Sequence, residues 1–358
     1  VLTELSLTHF RNFQQSVVYP ASGVNLLIGE NGSGKTSVLE AIYLLGMGRS
    51  FRTRNLKHVI QTDQRQCQVF ARISPGIPVG LQFSSTTGLQ IRLNNAPLKK
   101  LSELASHLPL QYISANCHQF FELGPGFRRK VVDWGLFHVE QDFLFHWQSY
   151  KKVLSQRNAA LRNSKPINEI QVWDSALIDH GKKLALYRNE YLGKLVVRFK
   201  HWFNNLCSEF SNAKFELRYL TGWPKEYEFA EVLQTTINRD IALGYTRSGP
   251  HAADWSIRID GHDPAEMCSR GQQKLFYLAI NLAQISLLQE INQHKSILLI
   301  DDISSELDIH HQRSVLNCIK SLQVQSFIST TNPELNTSIN RDENDIMFHV
   351  ERGEIRPE

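Results

Sequence analysis

The sequence is poor in everything that would tie it to an oxidising or membrane setting. Its five cysteines (Cys67, Cys117, Cys207, Cys268 and Cys318) are odd in number and form no CxxC pair. That argues against a disulfide framework and predicts free thiols in a reducing compartment. None of the histidines, His310-His311 included, has zinc spacing. No window approaches the roughly 20 apolar residues that a membrane span needs. The first residues, Val1 to Thr8, lack the basic start and unbroken apolar core of a signal peptide. The expectation is therefore a cytoplasmic chain with no membrane partner. Charge is also modest: 21% of residues are charged and the net charge is +4. This balance permits a nucleic-acid partner without demanding one. Helix-turn-helix, zinc-finger and leucine-zipper signatures are lacking, so any DNA contact should follow shape or a junction, not base sequence.

What the chain does have is length and patterned apolarity. With 358 residues, 42% of them hydrophobic, it can build a main domain and a smaller one. Residues 2–7 alternate as a half-buried strand does, and 17–19 read as a second short strand. Residues 24–28 are an apolar run ending at Gly29, and 35–45 have helical spacing through Val38, Ile42 and Leu45. Strand candidates recur from 67 to 93 and again at 110–113. In the middle, Val139, Phe143, Trp147, Tyr150, Leu154 and Leu161 form one helical stripe. Trp173, Leu177, Leu184, Tyr191, Leu195, Phe199, Trp202 and Leu206 form another, and the segment 162–168 with Pro166 separates them. The stripes predict an antiparallel hairpin, a short stout arm, with a compact helical subdomain as the alternative. Further on, 215–219 and 255–259 read as strands and 227–242 as a helix. Residues 271–291 read as a strong helix, 296–300 as a buried strand, 307–322 as a helix, and 326–329 and 346–350 as strands. Strands and helices alternating around a glycine loop point to an α/β nucleotide-binding domain. Residues 1–135 and 209–358 would be its two parts, with the arm 136–208 inserted between them.

The chemistry starts at Gly29-Glu30-Asn31-Gly32-Ser33-Gly34-Lys35-Thr36, a complete GxxxxGK[ST] followed by Ser37. The glycines let backbone N–H groups turn inward around a phosphate. Lys35 would reach the β- and γ-phosphates, and the Thr36 hydroxyl would ligate Mg²⁺. The strand before the loop and the helix after it are the context this motif requires. Asp301 and Asp302 end the apolar run 297–300. Asp301 can hold Mg²⁺ through water, and Asp302 can orient or deprotonate an attacking water. Ser269-Arg270-Gly271-Gln272-Gln273-Lys274 opens the strong helix. A serine there is a good N-cap, and the same geometry is an anion site able to receive the γ-phosphate of a nucleotide held by a second subunit.

The order of phosphate loop, Ser-Arg-Gly-Gln-Gln segment, acidic strand tip and Ser304-Ser305-Glu306-Leu307-Asp308 resembles the ABC-type ATPase heads of the SMC-like group, and within it the RecF family. Phe10-Arg11-Asn12-Phe13, the segment 32–41, Gly48-Arg49-Ser50-Phe51-Arg52, the segment 157–162 and Gly249-Pro250-His251 carry the same resemblance. It implies a weak Mg²⁺-dependent ATPase acting in DNA repair and replication restart. An ATP-driven homodimer would clamp duplex DNA beside single-strand gaps, with the partners RecR and RecO. It also implies that Gln111 is the Q-loop residue sensing Mg²⁺ and γ-phosphate, and that Ser305 and Asp308 lie in a D-loop. Arg11 would reach the nucleotide. Two places depart from the family pattern, and a third departs only from the transporter pattern. Ala252-Ala253 stand where a basic residue and acids are usual, and Asn116 stands where Glu is common. Thr330 or Thr331 stands at the switch position where transporters have histidine, which agrees with the RecF family and predicts slow hydrolysis. The exposed basic run Arg49, Arg52, Arg54, Lys57 and His58 is the candidate DNA contact, ahead of Lys99-Lys100, Arg128-Arg129-Lys130 and Lys151-Lys152. A transporter ATPase, a long coiled-coil SMC head and an ATP-gated protein scaffold are the rival readings.

Overall fold

A computed structural model of the chain describes residues 1–292, 295–332, 334–337 and 343–358. They fall into two compact units, one formed by Val1–Cys117, Trp202–Ser208 and Arg270–Glu358, the other by His118–His201 and Glu209–Ser269.

The first unit is built on two six-stranded sheets. In one, the order is Glu354–Pro357, Ile346–Glu351, Val24–Ile28, Gln325–Thr330, Ile297–Ile300 and Leu110–Ile113. Only the Glu354–Pro357 strand runs antiparallel to its neighbour. Val24–Ile28, Ile297–Ile300 and Gln325–Thr330 are buried at every position, as strands covered on both faces must be. The other sheet is an antiparallel meander that includes Leu2–Phe10, Phe13–Val18, Gln66–Ile73, Ile77–Ser84 and Gly88–Leu93. Here burial alternates: Cys67, Val69, Ala71 and Ile73 face the core and the residues between them do not. The helix Lys35–Met47 packs on strands of both sheets. It is buried almost all round, and Val38, Leu39, Ile42, Leu44 and Leu45 join one apolar cluster with both sheets. The helix Arg270–Asn292 is likewise buried without a break from Lys274 to Ile285.

The second unit is helical. It contains Pro125–Val139, Phe143–Arg162, Ile167–Gln171, Phe229–Thr235, Ile237–Leu243 and most of the helix Asp174–Leu206. A two-stranded ribbon pairs Phe215–Leu220 with Asp254–Ile259. This is larger than the predicted arm at 136–208: residues 118–135 and 209–269 belong to the same unit. Long-range ion pairs are the reason. Arg128 makes a bidentate pair with Asp254 and Arg188 another with Asp133, at 2.8–2.9 Å. Arg157, fully buried, donates to Asp174 and Asp240 at 2.8 Å and to the Thr246 hydroxyl at 2.7 Å. A compact subdomain, not a free-standing hairpin, is the outcome. The stripe expected to run unbroken from Val139 also divides, one helix ending at Val139 and the next beginning at Phe143. All five cysteines are buried and none is in a disulfide, and no helix among the described residues is long and apolar enough to cross a membrane.

Candidate nucleotide site

The phosphate loop leaves the buried strand Val24–Ile28 and enters the helix Lys35–Met47. Its tight path depends on glycine. Gly34 has φ +120°, and a Cβ there would lie 2.7 Å from Asn12 Nδ2. Asn12 in turn donates to the Ser33 carbonyl at 2.9 Å, fixing the loop from outside. Lys35 folds back over the loop and donates to the Gly29 and Glu30 carbonyls at 2.7 Å each. Burial pushes the pKa of its ammonium down, while the carboxylates of Asp302 and Asp301 pull it back up. The hydroxyl of Ser33 is buried with no hydrogen-bond partner among the described residues. An orphaned donor inside a phosphate loop, at the positive end of a buried helix, fits an anionic ligand. A cleft of about 1000 Å³ opens here, lined by Arg11, Asn31, Lys35, Thr36, Asp301, Asp302 and Gln61 among others.

Opposite the loop, the parallel strands Ile297–Ile300 and Gln325–Thr330 end side by side. Asp301 Oδ1 accepts from the Thr36 hydroxyl at 2.9 Å and from the Ser329 hydroxyl at 2.8 Å. Thr36 and Asp301 therefore meet although 265 positions separate them, and their oxygens are the hard donors that Mg²⁺ prefers. Asp302 has φ +49°, a left-handed conformation that aspartate tolerates better than most residues. Its N–H donates to Ser329 Oγ, and its carboxylate accepts from Ser304 at 2.7 Å. Lys274, fully buried, donates to the Asp302 and Ser305 carbonyls at 2.9 and 2.6 Å. That lysine joins the Ser269–Lys274 helix start to the acidic loop.

A family model for the RecF/RecN/SMC N terminal domain matches residues 1–356. The DNA replication and repair protein RecF of Nitrosococcus oceani is 38% identical over 359 residues, with 99% of this chain and 98% of that protein covered. The chain belongs to the RecF family. A solved structure of the recombination mediator protein RecF with ATP, from the RecFOR pathway, superposes with a TM-score of 0.83 at 28% identity, covering 100% of this chain and 97% of that one. The Smc head of Pyrococcus furiosus, with its coiled coil and the C-terminal domain of ScpA, gives 0.63 at 15% identity, covering 100% and 95%. The ABC-type head with a helical insertion is thus the fold of this RecF-family chain.

Within that head the expected residues do not all converge. Glu30 to Thr36, Asp301 and Asp302 do. Arg11 does also, at φ +55°, but its guanidinium is engaged: Nε and Nη2 donate to the fully buried Glu40 at 2.8 and 2.6 Å, and Nη1 donates to the His58 carbonyl. Ser37 is buried in the first turn of the helix. Gln111 does not converge. It sits inside the strand Leu110–Ile113, paired with Leu298, and its side chain donates to Gln284 at 3.1 Å. Ala115, beyond the strand end, is the residue of this stretch that lines the cleft. The assignment of Gln111 as a metal-sensing or catalytic residue is therefore corrected to a buried bond between sheet and helix. Ser269 is exposed immediately before the helix and does not line the cleft. The whole basic run, Arg49, Arg52, Arg54, Lys57 and His58, is exposed, and Arg52, 3.5 Å from Glu40, and His58 also line the cleft. Arg128 and Arg129 are not free DNA contacts. The first is paired with Asp254, and the second donates to the Ala253 carbonyl. Sequence reasoning assigned no site role to Asn12, Glu40, Lys274 or Ser329. Glu40 had a signal, a lone charge amid Val38, Leu39, Ala41 and Ile42.

Proposed function

We propose that this RecF-family chain is an ATP-gated DNA-binding recombination mediator and a slow, Mg²⁺-dependent ATPase. One observation carries the reading: the Thr36 and Asp301 oxygens meet beside a phosphate loop whose buried Ser33 hydroxyl lacks a partner among the described residues. Lys35 and the loop N–H groups would hold the phosphates of ATP. Thr36 and Asp301 would hold Mg²⁺, which when bound neutralises charge developing on the phosphates. Asp302, held by bonds to Ser304 and Ser329, would orient a water and accept its proton. The exposed Ser269, at the start of a long buried helix, suits the γ-phosphate of a nucleotide held by a second copy of the chain. ATP would then join two heads, Arg49, Arg54 and Lys57 would contact the DNA backbone, and hydrolysis would release the dimer. DNA beside single-strand gaps is the expected substrate. The name of the RecFOR pathway, in which the ATP-bound relative works, supports RecO and RecR as partners.

The test is fluorescence anisotropy of a labelled gapped duplex with ATP, with ADP and without nucleotide, at fixed salt. Tighter binding with ATP alone, rising more steeply than for one protomer, is the expected result. Ser269→Arg should abolish that gain and leave ATP binding by the single chain intact. Equal binding in all three states would refute ATP-gated DNA binding and favour an ATP-gated protein scaffold.

A further inference from the structure

Far from the phosphate chemistry in sequence, the helical unit carries a second constellation. His146 on the helix Phe143–Arg162 and His180 on the helix Asp174–Leu206 bring their Nδ1 atoms to 2.9 Å, across 34 positions of chain. Both rings are half-buried, and neither imidazole has another hydrogen-bond partner among the described residues. Phe145 packs edge-on against both rings, with centroids at 5.3 and 5.7 Å, and Tyr187 packs against His146 at 5.9 Å. Only one proton can lie between the two nitrogens, so the pair in this arrangement shares a single donor. Burial, with His180 next, pushes the pKa of His146 down, while the nearby carboxylates of Asp142 and Glu140 act in the opposite direction. The lowered pKa favours the neutral form of His146, the form in which imidazole binds metals.

We propose that His146 and His180 form a site for a divalent transition-metal cation, Ni²⁺ or Cu²⁺, which clips the two long helices together. The geometry selects the metal. With metal–nitrogen bonds of about 2.0–2.1 Å, nitrogens 2.9 Å apart subtend close to a right angle at the ion, whereas a tetrahedral ion would need them about 3.3 Å apart. Right-angled nitrogen pairs suit Cu²⁺ and Ni²⁺ over Zn²⁺. A small rotation of each ring about its outer bond turns the Nδ1 lone pairs from one another to a common ion. The metal takes the place of the shared proton, which passes through solvent to Nε2 of the same ring, so both imidazoles stay neutral and water completes the coordination. The aromatic rings limit how far the imidazoles can turn away, so the site is organised before the ion arrives.

The experiment is calorimetric titration of the chelator-treated full chain with Ni²⁺ alone, paired with thermal denaturation with and without the ion. The wild type should bind Ni²⁺ more tightly than Zn²⁺ and melt at a higher temperature in its presence. His146→Gln and His180→Gln should each weaken that binding by more than about 10-fold, the lower limit for disturbing even a supporting residue of a metal site. Each should also lose the Ni²⁺-dependent rise in Tm. Both side chains are half-exposed, so metal-free Tm should change little, and either variant alone decides if the other fails to fold. Unchanged Ni²⁺ affinity in the variants, or no Ni²⁺-dependent rise in the wild type, would overturn the proposal.

Discussion

Glu40→Gln tests the site where it is most tightly built. The Glu40 carboxylate is fully buried and receives Arg11 Nε and Nη2, the Ser50 hydroxyl and, at 3.5 Å, Arg52. Glutamine has the same shape but no charge, and its amide turns one N–H pair toward groups that themselves donate. Arg11, with only 18% of its side chain exposed, would keep its charge and lose its counter-ion. Breaking a buried ion pair from one side costs about 3–5 kcal/mol. A unit of this size loses about 2–4 °C of Tm per kcal/mol, so the melting temperature of the Arg11-bearing unit should fall by about 6–20 °C. Calorimetry reads this directly. Because Arg11 and Arg52 line the cleft, a fluorescent ATP analogue should also bind more weakly, even well below the transition. A Tm loss under about 2 °C would refute the argument, since it would mean that the guanidinium finds water or another acceptor at no appreciable cost.

Three other substitutions separate the roles of neighbouring groups. Asp301→Asn can still accept from Thr36 and Ser329, so stability should change by less than about 1 kcal/mol, while the Mg²⁺-dependent part of ATP affinity, read by titration with and without Mg²⁺, falls more than about 10-fold. Gln111→Leu removes the bond to Gln284 and should cost about 1 kcal/mol in denaturant unfolding with the ATPase rate unchanged; a large loss of rate would restore the sensing role for Gln111. Lys274→Met deletes two charge-assisted bonds but also the cost of a buried ammonium, which dominates the lowering of the Lys274 pKa. Stability should therefore shift by no more than about 2 kcal/mol in either direction, whereas steady-state ATP hydrolysis should fall at least about 10-fold with single-chain ATP affinity kept.

The parts of this structure legible in the sequence are those whose constraint is local. The phosphate loop is contiguous, and its glycines answer to backbone angles a few residues apart. Asp301 and Asp302 stand at the end of four apolar residues, so their strand tip follows from pattern alone. The helical unit was half legible. Periodicity found both stripes but could not see that Arg157, a polar residue in the first, is buried on ion pairs with Asp174 and Asp240. Those partners carry no signal of their own until the fold brings them together. The same holds for Arg128, which read as part of a basic patch and is held by Asp254, 126 positions away. Gln111 was misplaced for a different reason. The strand 110–113 was legible, but the role of Gln111 came from the family resemblance alone, and no local pattern shows that its side chain bonds to Gln284 on a helix far along the chain.

The bonds around Asp301 explain why those missed residues belong with the recognised ones. Asp301 Oδ1 receives two hydroxyls, from Thr36 at the phosphate end and from Ser329 on the neighbouring strand. Because Ser329 gives its only proton to Asp301, its oxygen faces the Asp302 N–H as an acceptor, which holds Asp302 in its left-handed turn. The carbonyl of Asp302 then takes one proton of Lys274, and the carbonyl of Ser305 takes another. Thr36 and the buried helix Arg270–Asn292 are thus joined through hydrogen bonds with almost no spare capacity. A cation that claimed a lone pair of the Thr36 hydroxyl oxygen would leave its proton on Asp301 and make it a stronger donor, so the chain of bonds persists when the cation is held. Contiguity alone does not make a switch, but it does fix how the acidic loop and the helix are held to one another. The start of the helix that follows Ser269 is packed against the same loop: a Cβ at Gly271 would lie 2.8 Å from the Glu306 carbonyl. A shift at the acidic loop therefore cannot be absorbed by slack at that helix start. It must either be resisted or be passed to the residues that precede Lys274.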